Sequence, residues 1–182
     1  MELRRKLFHI AFGVLVLSLA IFLDPEYAIA FTFLSLLMGL LILDRKLRRL
    51  KVPLADELLE LFGRPGEPPG YGAFWFIFGL LALLTFIIKR EDMLASILML
   101  GVGDAVSTII GYSGRHGLPY NRNKTFEGSL AFIAVSLVSF AWLGPIAIPF
   151  ALLGALVESI DARIDDNLLI SLYCIAFFLI LG

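Results

Sequence analysis

Charge is scarce in this chain: only 17% of its 182 residues are Asp, Glu, Lys or Arg, and the two signs nearly cancel at a formal −1. Cysteine is scarcer still. Cys174 stands alone in an apolar run, which excludes a disulfide framework. The two histidines, His9 and His116, have no nucleophile-bearing motif beside them, so a Ser-His-Asp or Cys-His hydrolase is not expected. A Walker A loop is also absent, because that motif needs glycine before its lysine, whereas Lys124 follows Asn123 with no strand upstream. No internal repeat or low-complexity linker divides the sequence, and residues 1–182 are read as one domain.

Apolar side chains fill the space that charge leaves. They make up 59% of the residues, and the mean hydropathy is +0.91. A soluble domain of this length could not hide so much oil, so composition alone places the chain among integral membrane proteins. Seven apolar stretches, about 7–23, 27–43, 71–88, 93–111, 129–143, 145–160 and 167–181, approach the roughly 20 residues a membrane helix needs. Only Gly144 and Pro145 separate the fifth from the sixth, so six or seven spans are expected, all helical because an open strand cannot satisfy its backbone in lipid. The N-terminus has the basic start and Ala28-x-Ala30 ending of a signal peptide. Its apolar stretch from Leu7 to Leu23 is long for one, and it is read as the first span.

The cations set the expected topology. With seven spans and a cytoplasmic N-terminus, Arg4, Arg5, Lys6, Arg45, Lys46, Arg48, Arg49, Lys51, Arg64, Arg115, Arg122, Lys124 and Arg163 all lie inside, leaving Lys89 and Arg90 outside. The N-terminal segment, the 44–70 loop, the 112–128 loop and the 161–166 turn then emerge on one face, where a water-soluble anion can meet a lipid. Within 44–70, Leu47, Leu50, Leu54, Leu58 and Leu61 recur at helical spacing, which predicts a helix lying in the interface or packed on the bundle. "GRPGEPPGYG" then returns the chain to the membrane.

Four clusters are candidates for chemistry. Asp104 is a carboxylate inside a hydrophobic span, an expensive placement that marks either a functional site or an interhelical tie. Ser107 and Thr108 share its helix face, and Gly101, Gly103 and Gly111 allow close approach. Next, "GYSGRHGLPYNRNKTFEGS" reads as a phosphate-handling loop that delivers Lys124 and Thr125 to a helix start, where backbone N–H groups favour an anion, or as a loop whose cations only set topology. In "ESIDARIDDN" the spacings of Glu158, Asp161 and Asp165 would put several carboxylates on one helical face, an oxygen cluster suited to Mg²⁺. Alternatively, Asp166 and Asn167 cap the helix that follows. Finally, Arg5 and Lys6 suit any inside-facing terminus, with His9 one turn on from Arg5. Together the clusters suggest metal-assisted phosphoryl or nucleotidyl transfer to a lipid.

These residues resemble the dolichol kinase and phytol kinase family, membrane enzymes that phosphorylate isoprenoid alcohols, typically from CTP, and that include a fungal CTP-dependent diacylglycerol kinase. "ELRRKLFHI" is similar to the family's N-terminal block through Arg5, Lys6 and His9, and "EPPGYGAFWFIFG" to the next through Glu67, Gly70 and Gly79. "GDAVSTIIG" with "KTFEGSLAF" carries the most specific block, with Asp104, Gly111, Lys124, Thr125, Glu127, Gly128 and Ser129; Thr125 stands where the family more often has serine. "ESIDARIDDNLLI" matches the acidic C-terminal block through Glu158, Asp166 and Asn167.

The resemblance implies CTP as donor, Mg²⁺ on Asp104 with Glu158 or Asp166, and phosphates held by Arg5, Lys6, Arg122, Lys124, Asn167 and the backbone at 125–129. It also implies a lipid alcohol entering sideways between helices, its proton taken by a carboxylate or His9. Membrane lipid and a nucleoside triphosphate are the expected partners, with no nucleic acid; the oligomeric state is open. The chain is shorter than the eukaryotic dolichol kinases, which leaves the length of its lipid open. A prokaryotic source would place it in the plasma membrane. The rival readings are a CTP-dependent cytidylyltransferase, which "KTFEGS" fits less well, and a small transporter, which would need its polar groups near the midplane.

Overall fold

The structure is a computed structural model that describes residues 2–50, 68 and 70–181. It is an all-α polytopic membrane bundle: α1 (Glu2–Phe22), α2 (Pro25–Leu47), α3 (Tyr71–Phe86), α4 (Arg90–Leu98), α5 (Asp104–Tyr112), α6 (Phe126–Ser136), α7 (Phe140–Leu143), α8 (Ala147–Ser159) and α9 (Asp166–Leu181). Among the described residues, four helical runs are long and apolar enough to cross a membrane: Leu3–Phe22, Pro25–Leu47, Arg90–Tyr112 and Phe126–Ser159. Tyr71–Phe86 and Asp166–Leu181 are shorter apolar helices. The helix expected in the 44–70 segment lies outside the described residues except at its start, where Arg45, Lys46 and Leu47 form the last turn of α2. Cations suit that position, since they face the negative end of the helix dipole.

Packing follows from which faces are oily. α1 packs on α2 and on the rod made by α4, α5 and the turn between them; α2 packs on α3, α3 on α9, α9 on α8, α8 on α6, and α6 on α5. The rod is the most enclosed of these four runs: 72% of the residues in its most apolar stretch are buried, against 11% in that of α2, where Phe33, Leu34 and Met38 are left exposed. In water such a patch would invite aggregation; in a bilayer it is the lipid contact.

Two local departures from α-helix matter. Between α4 and α5, Met99–Gly103 is a π-helical turn, immediately before Asp104. α1 crosses there so closely that a Cβ added at Gly13 would lie 2.7 Å from the Cα of Gly101. The run from Phe126 to Ser159 reverses at Gly144, so α6 and α8 pack side by side as a hairpin. Gly144 adopts φ 61 and ψ −143, a conformation essentially confined to glycine, with Pro145 next. No atom lies within 4 Å of a Cβ built there, so the cost of a side chain is purely conformational. Gly144→Ala is therefore expected to destabilise the fold by about 1–3 kcal/mol, read as a lower unfolding midpoint in detergent.

At the end of the bundle away from Asp104, Arg90 donates to the carbonyls of Ala20 (2.9 Å) and Ile21 (2.7 Å), closing the C-terminus of α1. The N-terminus of α1, the C-terminus of α5, the start of α6, the end of α8 and the start of α9 gather at the other end.

Candidate functional site

At that end the scarce charges meet. Lys6 on α1 donates to Oδ2 of Asp104, a buried ion pair between residues 98 apart in sequence. Lys124 donates to Oε1 of Glu158 at 2.5 Å and to Oδ2 of Asp166 at 3.1 Å. Ser107, one turn beyond Asp104, donates to the same Oε1 of Glu158 at 3.1 Å and so ties α5 to α8. Asp104 and Glu158 are 0% and 1% exposed, and each keeps one buried oxygen, Oδ1 and Oε2 respectively, without a hydrogen-bond partner among the described residues. Buried polar atoms are nearly always satisfied, so two such carboxylate oxygens in one cluster are available to a donor or a cation.

The acidic C-terminal block arrives differently from its spacing. α8 stops at Ser159 and Ile160 is extended, with ψ 135, so Glu158, Asp161 and Asp165 do not share a helical face. A turn instead swings Asp166 back to the lysine that Glu158 holds. The cap of α9 is Asp165, neither Asp166 nor Asn167: its Oδ1 accepts from the Asn167 backbone N–H at 2.9 Å and from Asn167 Nδ2 at 2.8 Å.

The 112–128 loop is tightly self-bonded. Gly117 and Thr125 form an isolated antiparallel bridge, and Leu118 N–H donates to the Lys124 carbonyl at 2.9 Å. Asn121 donates to the Ser159 carbonyl at 3.0 Å, and the Tyr120 hydroxyl meets that of Ser159 at 2.7 Å, anchoring the loop beside Glu158. Glu127 accepts from the backbone of Arg115 (3.0 Å) and from His116 Nδ1 (2.7 Å). It holds the loop, a role that suits a carboxylate better than touching phosphate. Thr125 caps α6 by accepting from Gly128 N–H at 3.1 Å.

The start of α6 is consequently not an open anion cradle. Phe126 N–H donates to the His116 carbonyl and Ser129 N–H to the Thr125 carbonyl. The side-chain donors of this block are Lys124 and the Ser129 hydroxyl, which is buried without a hydrogen-bond partner among the described residues. Gly128 lets the helices close, since a Cβ there would meet the Ser107 carbonyl at 2.9 Å. Arg122 is exposed and takes no part in the cluster.

Above the ion pairs opens a cavity of about 300 Å³, lined by Arg5, Lys6, Tyr71, Arg163, Asp165, Asp166 and Asn167 among others. Gly70, in left-handed conformation, begins α3 at its edge; Glu67 lies outside the described residues. Gly72 makes room for Arg5, because a Cβ there would sit 2.8 Å from its Nη1. His9 is fully buried, stacked on Phe76 with ring centroids 4.0 Å apart. Gly79 supports the α3–α9 contact, with Ser171 Oγ 2.3 Å from where its Cβ would be, and Gly111 lies against Thr125.

Burial pulls the Lys124 ammonium towards neutrality, but Glu158, Asp166 and Asp104 outweigh it and hold its pKa above the ordinary 10.5. A lysine raised on folding contributes stability that is complete below the unfolded value and lost only as pH climbs through the folded one. No loss of stability from this group is therefore expected between about pH 7 and about pH 9, checked by unfolding midpoints of wild type and Lys124→Met across that range.

The lysine-carboxylate cluster, the polar cavity beside it and the oily flanks have counterparts among known proteins by sequence. The chain is 34% identical to the uncharacterized protein MJ1137 of Methanocaldococcus jannaschii, over 98% of this chain and 92% of that protein. It is 31% identical to the chloroplastic farnesol kinase of Arabidopsis thaliana over 94% of this chain, and 32% identical to the CTP-dependent diacylglycerol kinase 1 of Eremothecium gossypii over 77%. It spans 62% and 45% of the length of those two kinases. No family model and no solved structure matches. The chain thus belongs to one family with the Methanocaldococcus jannaschii protein, and that family is related to lipid kinases acting on farnesol and diacylglycerol.

Proposed function

We propose that the protein is a lipid-alcohol kinase that transfers the γ-phosphate of CTP to the hydroxyl of an isoprenoid alcohol of the farnesol, phytol, geranylgeraniol or polyprenol (dolichol) type. The observation that carries this reading is the pairing of Lys6 with Asp104 and of Lys124 with Glu158 and Asp166 at the rim of a polar cavity. Cations for phosphate and carboxylates for a metal stand side by side where an oily bundle ends. A transporter would want such groups near the midplane. The relatives' printed activities support the acceptor class, and the name of the Eremothecium gossypii enzyme supports CTP. The distribution of cations supports a site facing the cytoplasm, in the plasma membrane if the source is a prokaryote.

In the proposed reaction the lipid hydroxyl oxygen forms a bond to the γ-phosphorus. The bond from that phosphorus to the bridging oxygen breaks, CDP leaves with the electron pair, and the hydroxyl proton passes to the carboxylate cluster. Arg5, Lys6 and Lys124 neutralise the phosphates as charge shifts to the leaving group. The cavity takes the nucleotide, with Arg163 and Tyr71 at its wall. Mg²⁺ would be held by Asp104 and Glu158 and would polarise the phosphates. The donor set fits an ion with few protein ligands: two unpartnered carboxylate oxygens, and no three His, Cys, Asp or Glu side chains placed to hold an ion by themselves among the described residues. That is the arrangement of an ion that arrives with its phosphates and keeps several of its own ligands. His9, one turn on from Lys6, is enclosed against Phe76 and holds α1 to α3 there.

The test is transfer from CTP labelled at the α or the γ phosphate, using purified protein in detergent with Mg²⁺ and a panel of lipid alcohols and their monophosphates. Label passing from the γ position to an isoprenoid alcohol bears the proposal out. Label passing from the α position to a lipid phosphate makes the protein a cytidylyltransferase, and label on diacylglycerol alone moves the acceptor class. Gly72→Ala is expected to lower kcat/KM for CTP severalfold, because it displaces Arg5 and leaves the carboxylates in place.

A further inference from the structure

The metal-binding carboxylates just described are held closed by lysines. Each acid has one oxygen in an ion pair, Asp104 with Lys6 and Glu158 with Lys124, and the other buried without a hydrogen-bond partner. The pairs are within electrostatic reach of one another, and Ser107 links the two helices that carry the acids. A divalent cation arriving alone would meet a cluster whose three acids (Asp104, Glu158, Asp166) are already partly neutralised by two ammonium groups. It would have to displace those ammoniums, or share the acids with them, with no anion at hand to receive the displaced charge. A triphosphate changes that balance. It brings anionic oxygens that the two lysines can take in exchange for the carboxylates, and the cavity beside them, walled by Arg5 and Arg163, is where it would lie.

We infer that Lys6 and Lys124 are exchangeable counter-ions: they occupy the carboxylates until a nucleotide arrives, then move to its phosphates, so that the site takes a divalent metal only together with nucleotide. This rests on the reading of Asp104 and Glu158 as metal ligands, and it adds an order of assembly and a guard against free cations. Lys124 is the better placed of the two to move. Its side chain is 19% exposed against 5% for Lys6, it stands on a loop, and it faces two acids, so its departure frees two carboxylates at once.

The experiment uses Mn²⁺ alone, an ion of the same oxygen-preferring class that can be counted by the electron paramagnetic resonance of its free form. Purified full-length protein in detergent is titrated with and without the non-hydrolysable β,γ-methylene analogue of CTP. Wild type is expected to bind Mn²⁺ at least tenfold more tightly with the analogue than without it. Lys124→Met is expected to bind Mn²⁺ alone about tenfold more tightly than wild type, and the added substitution Glu158→Gln should remove that gain. Unfolding midpoints establish that each variant is folded; if Lys124→Met does not fold, Lys124→Gln serves the same comparison. The inference is overturned if the neutral variant binds Mn²⁺ no better than wild type, or if wild type binds it equally well with and without the analogue. Because no step of this readout requires phosphate transfer, a tighter variant in a protein that phosphorylates no alcohol would leave the exchange standing and remove the kinase reading alone.

Discussion

Asp104→Asn is expected to lower phosphate transfer by about 10²–10³-fold, the usual cost of removing one preorganised charge from an active site. The same change leaves Lys6 buried without its counter-ion, and breaking a buried pair from one side costs about 3–5 kcal/mol. A fall in activity alone would therefore not separate chemistry from folding. Lys6→Met/Asp104→Asn does, since it removes both charges together, and replacing a whole buried pair is often neutral for stability. The double variant is expected to regain most of the unfolding midpoint lost in Asp104→Asn and none of the activity. Recovery of both would reduce Asp104 to an interhelical tie.

The other large effect is expected at the crossing of α1 with the π-helical turn. A Cβ at Gly101 would lie 2.9 Å from the Cα of Gly13, and what it meets is backbone, which cannot rotate aside. Gly101→Leu should force the helices apart at a cost of about 3 kcal/mol or more, at the upper end for an overpacked core. Lys6 and Asp104 sit on the two elements being separated, so transfer should fall with stability. Gly39→Ala on α2 is the matched control: nothing lies within 4 Å of its Cβ, and the change should be neutral or stabilise by up to about 1 kcal/mol. Unfolding midpoints in detergent measure all three proteins, and equal losses at Gly101 and Gly39 would show that the crossing carries no special constraint.

Much of the bundle is legible from hydropathy alone because lipid removes every option but helix. The apolar stretches fall on the observed helices to within a few residues, and the reversal at Gly144–Pro145 lies where the composition breaks. The gathering of Asp104, Lys124, Glu158 and Asp166 also follows once the stretches alternate direction. What spacing does not show is rotation about each helix axis. Lys6 reaches Asp104 because α1 is pinned at Gly13 and because the π-helical turn resets the phase of the helix just before the carboxylate. The visible signal for that turn is the pair Gly101 and Gly103, and small residues in a span signal close approach as readily as a change of helix type. The end of α8 at Ser159 is likewise invisible to an i, i+3, i+4 argument, which assumes the helix it sets out to find. At the start of α6 the motif predicts N–H groups aimed outward, yet the loop folds back and takes those of Phe126, Gly128 and Ser129.

The lengths of the helices have a consequence for the membrane itself. At about 1.5 Å per residue, the 21 and 23 residues of α1 and α2 rise about 31 and 35 Å, enough for a hydrocarbon core of roughly 30 Å. The 16 residues of α3 rise only about 24 Å, and the 13 of α8 about 20 Å. Both pack on α9, so these two short helices flank one side of the molecule, away from α1. A bilayer that matches α1 and α2 is too thick for that side, and local thinning beside α3 and α8 relieves the mismatch. Where it thins, the lipid headgroups lie closer to the opposite leaflet than they do beside α1 and α2.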